Sequence, residues 1–461
     1  MKLQNARNII IWLLSTILII LATTSVYMYF NAIPPREILE FWPTMIETIL
    51  TSPIAWLIVA SPYLISRLIK FLFQSYNKYG VTVFSRRFTL SVLFPVVTIF
   101  AFSHFSKSYT HSENFDYEWN HSIENVEDTI VNRYKIDGKQ RGIHLFWRRE
   151  MLKEQINQLL KNNIEWITIV PYGGQKDYNS NSIGRRGQDY SGWSRRDTSF
   201  MDCINLLKTK GFHIMMKPHI WMHSPPSGKW RSDISHANEE DWKKWSQSYS
   251  DFIQHYAKLS ELLNVKILCI GTELHQTGKE HPEFWSQLIK DIRKIYSGQI
   301  TYAANWNEEV MNVPFWNELD YIGIQAYYPL TKKNEPTVKD LLKGWKTHMQ
   351  QIEQVQKKYN KPILFTEIGY KSTSDAAIEP WQWADGFSSL YKKVSTQTQS
   401  NCYEAFFRTF WDKQWFAGAH FWQWQARSEP SRGQGAINFT PQQKPAENIM
   451  AKWFGKFGKE N

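Results

Sequence analysis

Residues 265–273 read VKILCIGTE, a short apolar run that stops on a glutamate. Residues 362–369, PILFTEIG, repeat the arrangement, with Glu367 lying 94 positions after Glu273. Six further runs of the same kind surround them: 142–147 (GIHLFW), 166–172 (WITIVPY), 213–221 (HIMMKPHIW), 299–306 (QITYAANW), 321–327 (YIGIQAY) and 416–424 (FAGAHFWQW). Each has the length and composition of a buried strand. Long amphipathic stretches separate them. In 149–162, Met151, Leu152, Ile156, Leu159 and Leu160 recur at helical spacing. Helices are also expected over 239–262, 282–296, 337–359, 383–394 and 443–456. Eight strand–helix units over about 320 residues predict an α/β fold, a (β/α)8 TIM barrel with long loops. A doubly wound open sheet is the alternative. It calls for a Gly-rich phosphate turn after the first strand, and none is present.

A barrel of this kind carries its active site at the C-terminal ends of the strands. Here those ends hold His144 and Trp147, Tyr172, Lys217, His219 and Trp221, Glu273, Asn305 and Trp306, Tyr327 and Tyr328, Glu367, and Trp422 and Trp424. An apolar strand that ends in a charged side chain is costly unless that end lines a wet cleft. Nearly every strand ends this way, which points to a cleft.

Glu273 and Glu367 end the fourth and seventh strands and converge across the barrel mouth. Two facing carboxyls are the minimum for glycoside hydrolysis. One is protonated to release the leaving alcohol, and the other is ionised to attack or support the anomeric carbon. A lone glutamate at a strand end more often caps a helix or makes a loop ion pair; the pair is the specific signal. Sugars also present flat apolar C–H faces that a Trp ring can cover. Nineteen of the 22 Trp follow residue 110, and several of these must be core. Trp147, Trp221, Trp306, Trp422 and Trp424 are the candidates for the cleft, and Asn305 stands beside one of them.

Lys217 and His219 alternate with Pro218 and Ile220, so they share a face. They can bond sugar hydroxyls or help to hold Glu273, or form a satisfied pair behind the site. His144 and His219 come from separate strands and no HxH or HExxH occurs, so no metal and no cofactor is expected. The segment from about 173 to 197 carries five Gly with Arg185, Arg186, Arg195 and Arg196 but lacks P-loop spacing, and is expected to form a wall of the cleft.

The first hundred residues differ in kind. Residues 9–30 carry no charge, and 48–66 and 88–106 give two more charge-free runs apart from their flanks. Three transmembrane helices are expected there, within an anchor over 1–110, then a linker over 111–139 and the barrel over 140–461. A cleaved signal peptide is the alternative for the first run, but it lacks a clear cleavage site. Arg67, Lys70, Lys78, Arg86 and Arg87 fill the 67–87 loop without an acid, whereas 31–47 holds three Glu against one Arg. The positive-inside rule then places the N-terminus and the basic loop in the cytoplasm, and the barrel on the periplasmic or extracellular side. Residues 1–110 hold nine Lys or Arg against three acids, so most of the net charge of +11 belongs to the anchor. A nucleic-acid partner is therefore not expected. Three Cys and no CxxC exclude a disulfide-dense scaffold.

The stretches RGIHLFW, MMKPHIW, CIGTELHQT, ITYAANW, LDYIGIQAYYPL, PILFTEIGYKS, WFAGAHFWQW and NFTPQQKPAE together resemble glycoside hydrolase family 113, in clan A of the retaining (β/α)8 glycosidases. The resemblance runs from about residue 141 to 456. It implies an endo-β-1,4-mannanase, with Glu273 as acid/base and Glu367 as nucleophile. It also implies that Tyr327, late on the sixth strand, hydrogen-bonds the nucleophile. Clan A commonly has Asn before the acid/base; Thr272 stands there, as in the resembled family. The expected protein is a membrane-anchored retaining glycosidase whose partners are a polysaccharide and the lipid bilayer. A glycan-binding protein without catalysis, or a transglycosylase acting on a polymer made at the same membrane, are the alternatives.

Overall fold

The computed structural model describes residues 53–98, 100–101, 128–147, 152–184, 195–226, 228–383, 392–426 and 437–457. They belong to two compact units, residues 1–105 and 106–461.

In the first unit a helix spans Pro53–Phe88 and passes into a π-helical turn over Thr89–Leu93. Gly80 interrupts it with φ 74° and ψ −174°, a geometry open to glycine and closed to residues with a Cβ. There the chain doubles back. Arg87 Nη1 donates to Ser75 Oγ at 2.6 Å, and the Arg87 guanidinium lies 5.0 Å from the centre of the Phe71 ring. In an unbroken helix residues 71 and 87 stand about 24 Å apart.

This corrects the expectation of three transmembrane helices. Among the described residues one helical run, Tyr63–Thr98, has the length and composition to cross a membrane. The expected first span, 9–30, lies outside the described residues. The described parts of the expected second span (53–66) and third span (88–98), with the basic stretch between them, form one helical run that turns at Gly80. Lys and Arg are good helix formers, and nothing between Arg67 and Gly80 stops the helix. Charge marked a loop where backbone propensity continues the helix. Of the expected linker, residues 128–139 are described, and Tyr134–Asp137 is a short helix.

The second unit is the barrel. Its strands are β1 (Gln140–Trp147), β2 (Trp166–Ile169), β4 (His213–Met216), β6 (Ile267–Thr272), β7 (Gln299–Asn305), β8 (Tyr321–Gln325), β9 (Ile363–Ile368) and β10 (Phe416–Ala426). They close in the order β1-β10-β9-β8-β7-β6-β4-β2, every pair parallel. Each expected strand is present. The second and third break at Pro171 and Pro218, which have no N–H for the ladder. Their continuations, β3 (Tyr172–Gln175) and β5 (His219–Met222), pair with each other as a separate two-stranded sheet.

Two apolar layers hold the barrel. Leu152, Ile156, Leu159 and Leu160 line one face of the helix Leu152–Lys161 and join the main cluster between strands and helices. A smaller cluster takes one residue from each of six strands: Trp166, Met215, Ile267, Tyr321, Leu364 and Ala417. Two residues further along β2, β4 and β9, on the same face, stand Thr168, Lys217 and Thr366, all buried. The barrel interior therefore turns from apolar to polar toward the strand ends.

Most of the helix expected over 383–394 lies outside the described residues; at its end Val394 is bridged to Thr373. A helix runs from Thr396, where Ser395 accepts from the Thr398 amide, to Phe410.

Candidate active site

Glu367 ends β9 within a crowd of donors. Lys217 Nζ approaches its Oε2 at 2.8 Å, and Gln325 Nε2 donates to the same oxygen at 3.0 Å. Tyr327 Oη donates to Oε1 at 2.6 Å, and His144 Nε2 lies 3.7 Å from Oε2. A register irregularity aims the side chain. Between the pairs Ile324–Phe365 and Gln325–Glu367, β8 advances one residue and β9 advances two. Bulges beside active sites commonly re-aim a side chain in this way. Thr366 bonds Gln325 at 3.2 Å, and Glu367 also turns inward.

Burial would push the Glu367 carboxyl up, but the Lys217 ammonium and the hydrogen bonds outweigh it and hold the pKa at about 2. Burial and the Lys217 cation push His144 down to about 3, so its imidazole is neutral at neutral pH. Burial and the Glu367 charge push the Tyr327 phenol well up, which keeps its proton for donation. Lys217 thus holds Glu367, not Glu273 as one reading of the sequence had it.

Glu273 follows β6 with φ 55°. A side-chain-bearing residue in this left-handed region is held there by its surroundings. Its Oε2 lies 3.1 Å from Arg231 Nε, an ion pair whose angle falls short of a hydrogen bond. Burial raises the pKa of Glu273, Arg231 works against this, and the Glu367 charge adds to the rise. Arg231 Nη1 also reaches His219 Nδ1 at 3.3 Å. The His219 imidazole is kept neutral by burial and by Lys217.

Around the carboxyls the aromatic side chains divide. Trp422 stands edge-on to His144, Phe146 and Trp383, and clusters with Tyr327 and Phe439. Trp306 is half-buried and stacks on Trp381 at 5.5 Å. Asn305 holds the Trp306 amide through its own Oδ1 at 2.9 Å. Trp221 is 56% exposed on β5, edge-on to Tyr172. Trp147 packs against Phe200 at the core margin. Trp424 is 1% exposed and lies in the main core. Alternation would put it on the face of Trp422, but β10 advances three residues (Phe421 to Trp424) while β1 advances two (Ile143 to Leu145). That extra residue turns Trp424 away.

Several contributors escaped the sequence analysis. Gln325 stands two positions before Tyr327, and strand alternation could have found it. Arg231 sits in a short 3-10 turn after β5, where no periodicity marks it. Trp381 and Trp383 precede a segment outside the described residues, and the expected Arg185 and Arg186 lie outside them. Glu309 is buried behind β7 and bonds Tyr302. Among the described residues no group of three or more His, Cys, Asp or Glu is arranged to hold a metal ion.

Two carboxyls at the mouth of a parallel eight-stranded barrel, one held ionised and one buried with its pKa raised, beside Trp side chains, define a glycoside hydrolase site of the clan A kind. The description of glycoside hydrolase family 113 matches residues 139–436, and the chain belongs to that family. Among solved structures, a family 113 β-1,4-mannanase complex is similar at TM-score 0.59 and 24% identity, covering 68% of this chain and 98% of that one. A family 113 β-mannanase from Alicyclobacillus acidocaldarius in complex with ManMIm is similar at TM-score 0.59 and 24% identity, covering 69% and 97%. These two share the fold. Among curated proteins none matches the chain.

Proposed function

We propose that the protein is a retaining endo-β-1,4-mannanase held at a membrane by its N-terminal apolar helix. The observation that carries the mechanism is the opposite treatment of the two carboxyls. Glu367 has Lys217, Gln325 and Tyr327 around it, which suits an ionised nucleophile. Glu273 is buried beside a single cation, and its raised pKa suits an acid that still holds its proton.

A Glu367 oxygen attacks the anomeric carbon as the glycosidic C–O bond breaks, and Glu273 gives its proton to the leaving oxygen. Esterified Glu367 no longer carries a charge, so Glu273 loses one of the influences that kept its pKa up. Now ionised, Glu273 takes a proton from water, which attacks the anomeric carbon and frees Glu367. Trp306 with Trp381, and Trp383 with Trp422, offer aromatic faces for sugar rings on either side. The choice of mannan is supported by the family and by the two similar structures, both of family 113 β-mannanases.

The anchor reading is supported by the exposure of Phe73, Val81, Phe94 and Phe100 along the helical run. The cations Arg67, Lys70, Lys78, Arg86 and Arg87 favour the cytoplasmic side for their stretch of the run, and the barrel is read as periplasmic or extracellular. A surface cysteine introduced into the barrel, labelled in intact cells by a thiol reagent that cannot cross membranes, tests this sidedness.

The test of function uses the full chain in detergent, with β-mannan, glucomannan, xylan and cellulose as substrates and Glu367→Gln beside it. Cleavage of mannan by the parent alone, with the β-anomer as the first product by proton NMR, is expected. An α-anomer removes retention. Tight binding without cleavage moves the protein to the glycan-binding class, and transfer products with excess acceptor move it to transglycosylation.

A further inference from the structure

Glu309 and Tyr302 take no part in the mechanism above, yet they form a buried polar chain next to the site. Glu309 lies in the short helix Glu308–Asn312 that follows β7 and is 2% exposed. Tyr302, on β7, is fully buried. The Leu274 amide donates to Tyr302 Oη at 2.8 Å. Because that oxygen already accepts, the phenol points its own proton onward, to Glu309 Oε1 at 2.6 Å. The Asn305 amide donates to the other oxygen, Oε2, at 2.7 Å. Both carboxylate oxygens are satisfied, one from each side.

The start of this chain matters. Leu274 is the residue after Glu273, and its N–H belongs to the peptide unit that Glu273 ψ orients. Glu273 itself is left-handed at φ 55°, a conformation that is strained for a side-chain-bearing residue. Something must hold it. The Glu273 amide donates to Ala303 O at 2.9 Å, which fixes the near side. The Leu274 amide on Tyr302 fixes the far side. The far end of the chain returns to Asn305, whose neighbour Trp306 belongs to the aromatic wall. One carboxylate therefore ties the backbone of the acid/base to the loop that carries the stacked Trp pair.

We propose that Glu309, acting through Tyr302, is a positioning residue that holds the Glu273 backbone in the conformation from which its carboxyl serves as acid and base. The proposal rests on the two-glutamate reading above. Burial raises the Glu309 carboxyl to about 8, with the Glu273 charge adding to the rise and the bonds from Tyr302 and Asn305 opposing it. At about 8 the group is largely protonated at neutral pH; the bonds from Tyr302 and Asn305 favour its ionised form against burial. A glutamine cannot reproduce the ionised form, because its NH2 must face either the phenol proton or the Asn305 amide, and one donor then meets a donor.

The experiment compares the full-length parent in detergent with Tyr302→Phe, Glu309→Gln and Glu273→Gln on two substrates. One is a β-1,4-manno-oligosaccharide, whose leaving alcohol needs a proton. The other is 2,4-dinitrophenyl β-mannoside, whose leaving group needs none. Tyr302→Phe keeps the ring packing and removes both bonds of the phenol. Losing one buried bond corresponds to about a tenfold change, so kcat/KM on the oligosaccharide is expected to fall about ten- to hundredfold. The fall on the activated mannoside is expected to be less than about threefold. Glu309→Gln should show the same split, and azide, which needs no general base, should speed turnover of the activated mannoside in both. Equal losses on both substrates, without azide rescue, overturn the proposal and leave Glu309 a packing residue. If Glu273→Gln itself lacks the split and the rescue, the two-glutamate reading has failed instead. Melting curves of all variants separate either result from misfolding, and Tyr302→Phe keeps the test open should Glu309→Gln not fold.

Discussion

The ends of β6 and β9 present the same residue to the same cleft in opposite surroundings. Glu367 meets a cation, an amide and a phenol, all within 3.0 Å. Glu273 meets one guanidinium at 3.1 Å and is otherwise enclosed. Burial pushes both carboxyls toward the neutral form; only at Glu367 do the neighbours reverse the result. The lesson is that position on the barrel does not assign the roles. The donors that neighbouring strands supply do, and Lys217 is the largest of them.

Lys217→Met should break the comparison most severely. It strips the enclosed cation from Glu367 and leaves burial unopposed, so the carboxyl moves up from about 2 toward the neutral form. Leaving one member of a buried pair uncompensated costs about 3–5 kcal/mol, and turnover should fall roughly 10²- to 10³-fold. The acidic limb of the kcat/KM profile should move to higher pH. An unchanged limb would mean that Lys217 does not govern Glu367.

Stability sharpens the same contrast. Glu367 has a folded pKa of about 2, below the ordinary carboxyl value. It therefore stabilises the fold fully above that ordinary value, and the contribution is lost as pH falls through about 2. Glu273 has a raised folded pKa, so its ionisation opposes folding as pH rises. At neutral pH, Glu367→Gln should destabilise by about 3 kcal/mol, because Lys217 loses its counter-charge. Glu273→Gln should leave melting unchanged or raise it. The gap between parent and Glu367→Gln should close as the pH is lowered toward 2. Denaturant melts across pH check the signs, and parallel behaviour of the two variants would erase the contrast.

Much of this site was legible before any coordinates. Strand ends are short apolar runs that stop on polar residues, and the rule that such ends converge brought Glu273, Glu367, Tyr327, Lys217 and His144 to one place. What periodicity misses is a change of period. One extra residue in β10 sends Trp424 into the core, and one in β9 brings Glu367 beside Gln325. Contacts made by loops were equally hidden: Arg231 reaches Glu273 from 42 positions away. In the N-terminal unit charge suggested a loop, whereas Lys and Arg continue a helix that Gly80 alone bends.

The aromatic wall offers a milder test. Trp306→Ala removes the partner of Trp381, and Trp383→Ala removes the partner of Trp422. Truncating one such contact costs about 1 kcal/mol or somewhat more, so KM should rise about five- to tenfold with kcat nearly constant. A fall in kcat at constant KM would place these rings in the transition state instead of in binding.

Arg231→Gln should give the smallest loss and the clearest sign. The guanidinium is the main influence that opposes the rise of the Glu273 pKa. Removing it lets burial and the Glu367 charge act alone, so the carboxyl keeps its proton to still higher pH. The acid step benefits, and the basic limb of kcat/KM moves upward. The base step suffers, since Glu273 must lose that proton once Glu367 is esterified. Deglycosylation should then become the slow step near neutral pH, with a burst of phenol from an aryl mannoside ahead of steady turnover. Arg231 also holds His219, so Arg231→Lys, which keeps the charge but loses the fork, separates the two functions. A basic limb restored by lysine assigns the effect to charge on Glu273. A limb that stays displaced assigns it to the geometry that His219 and Arg231 share.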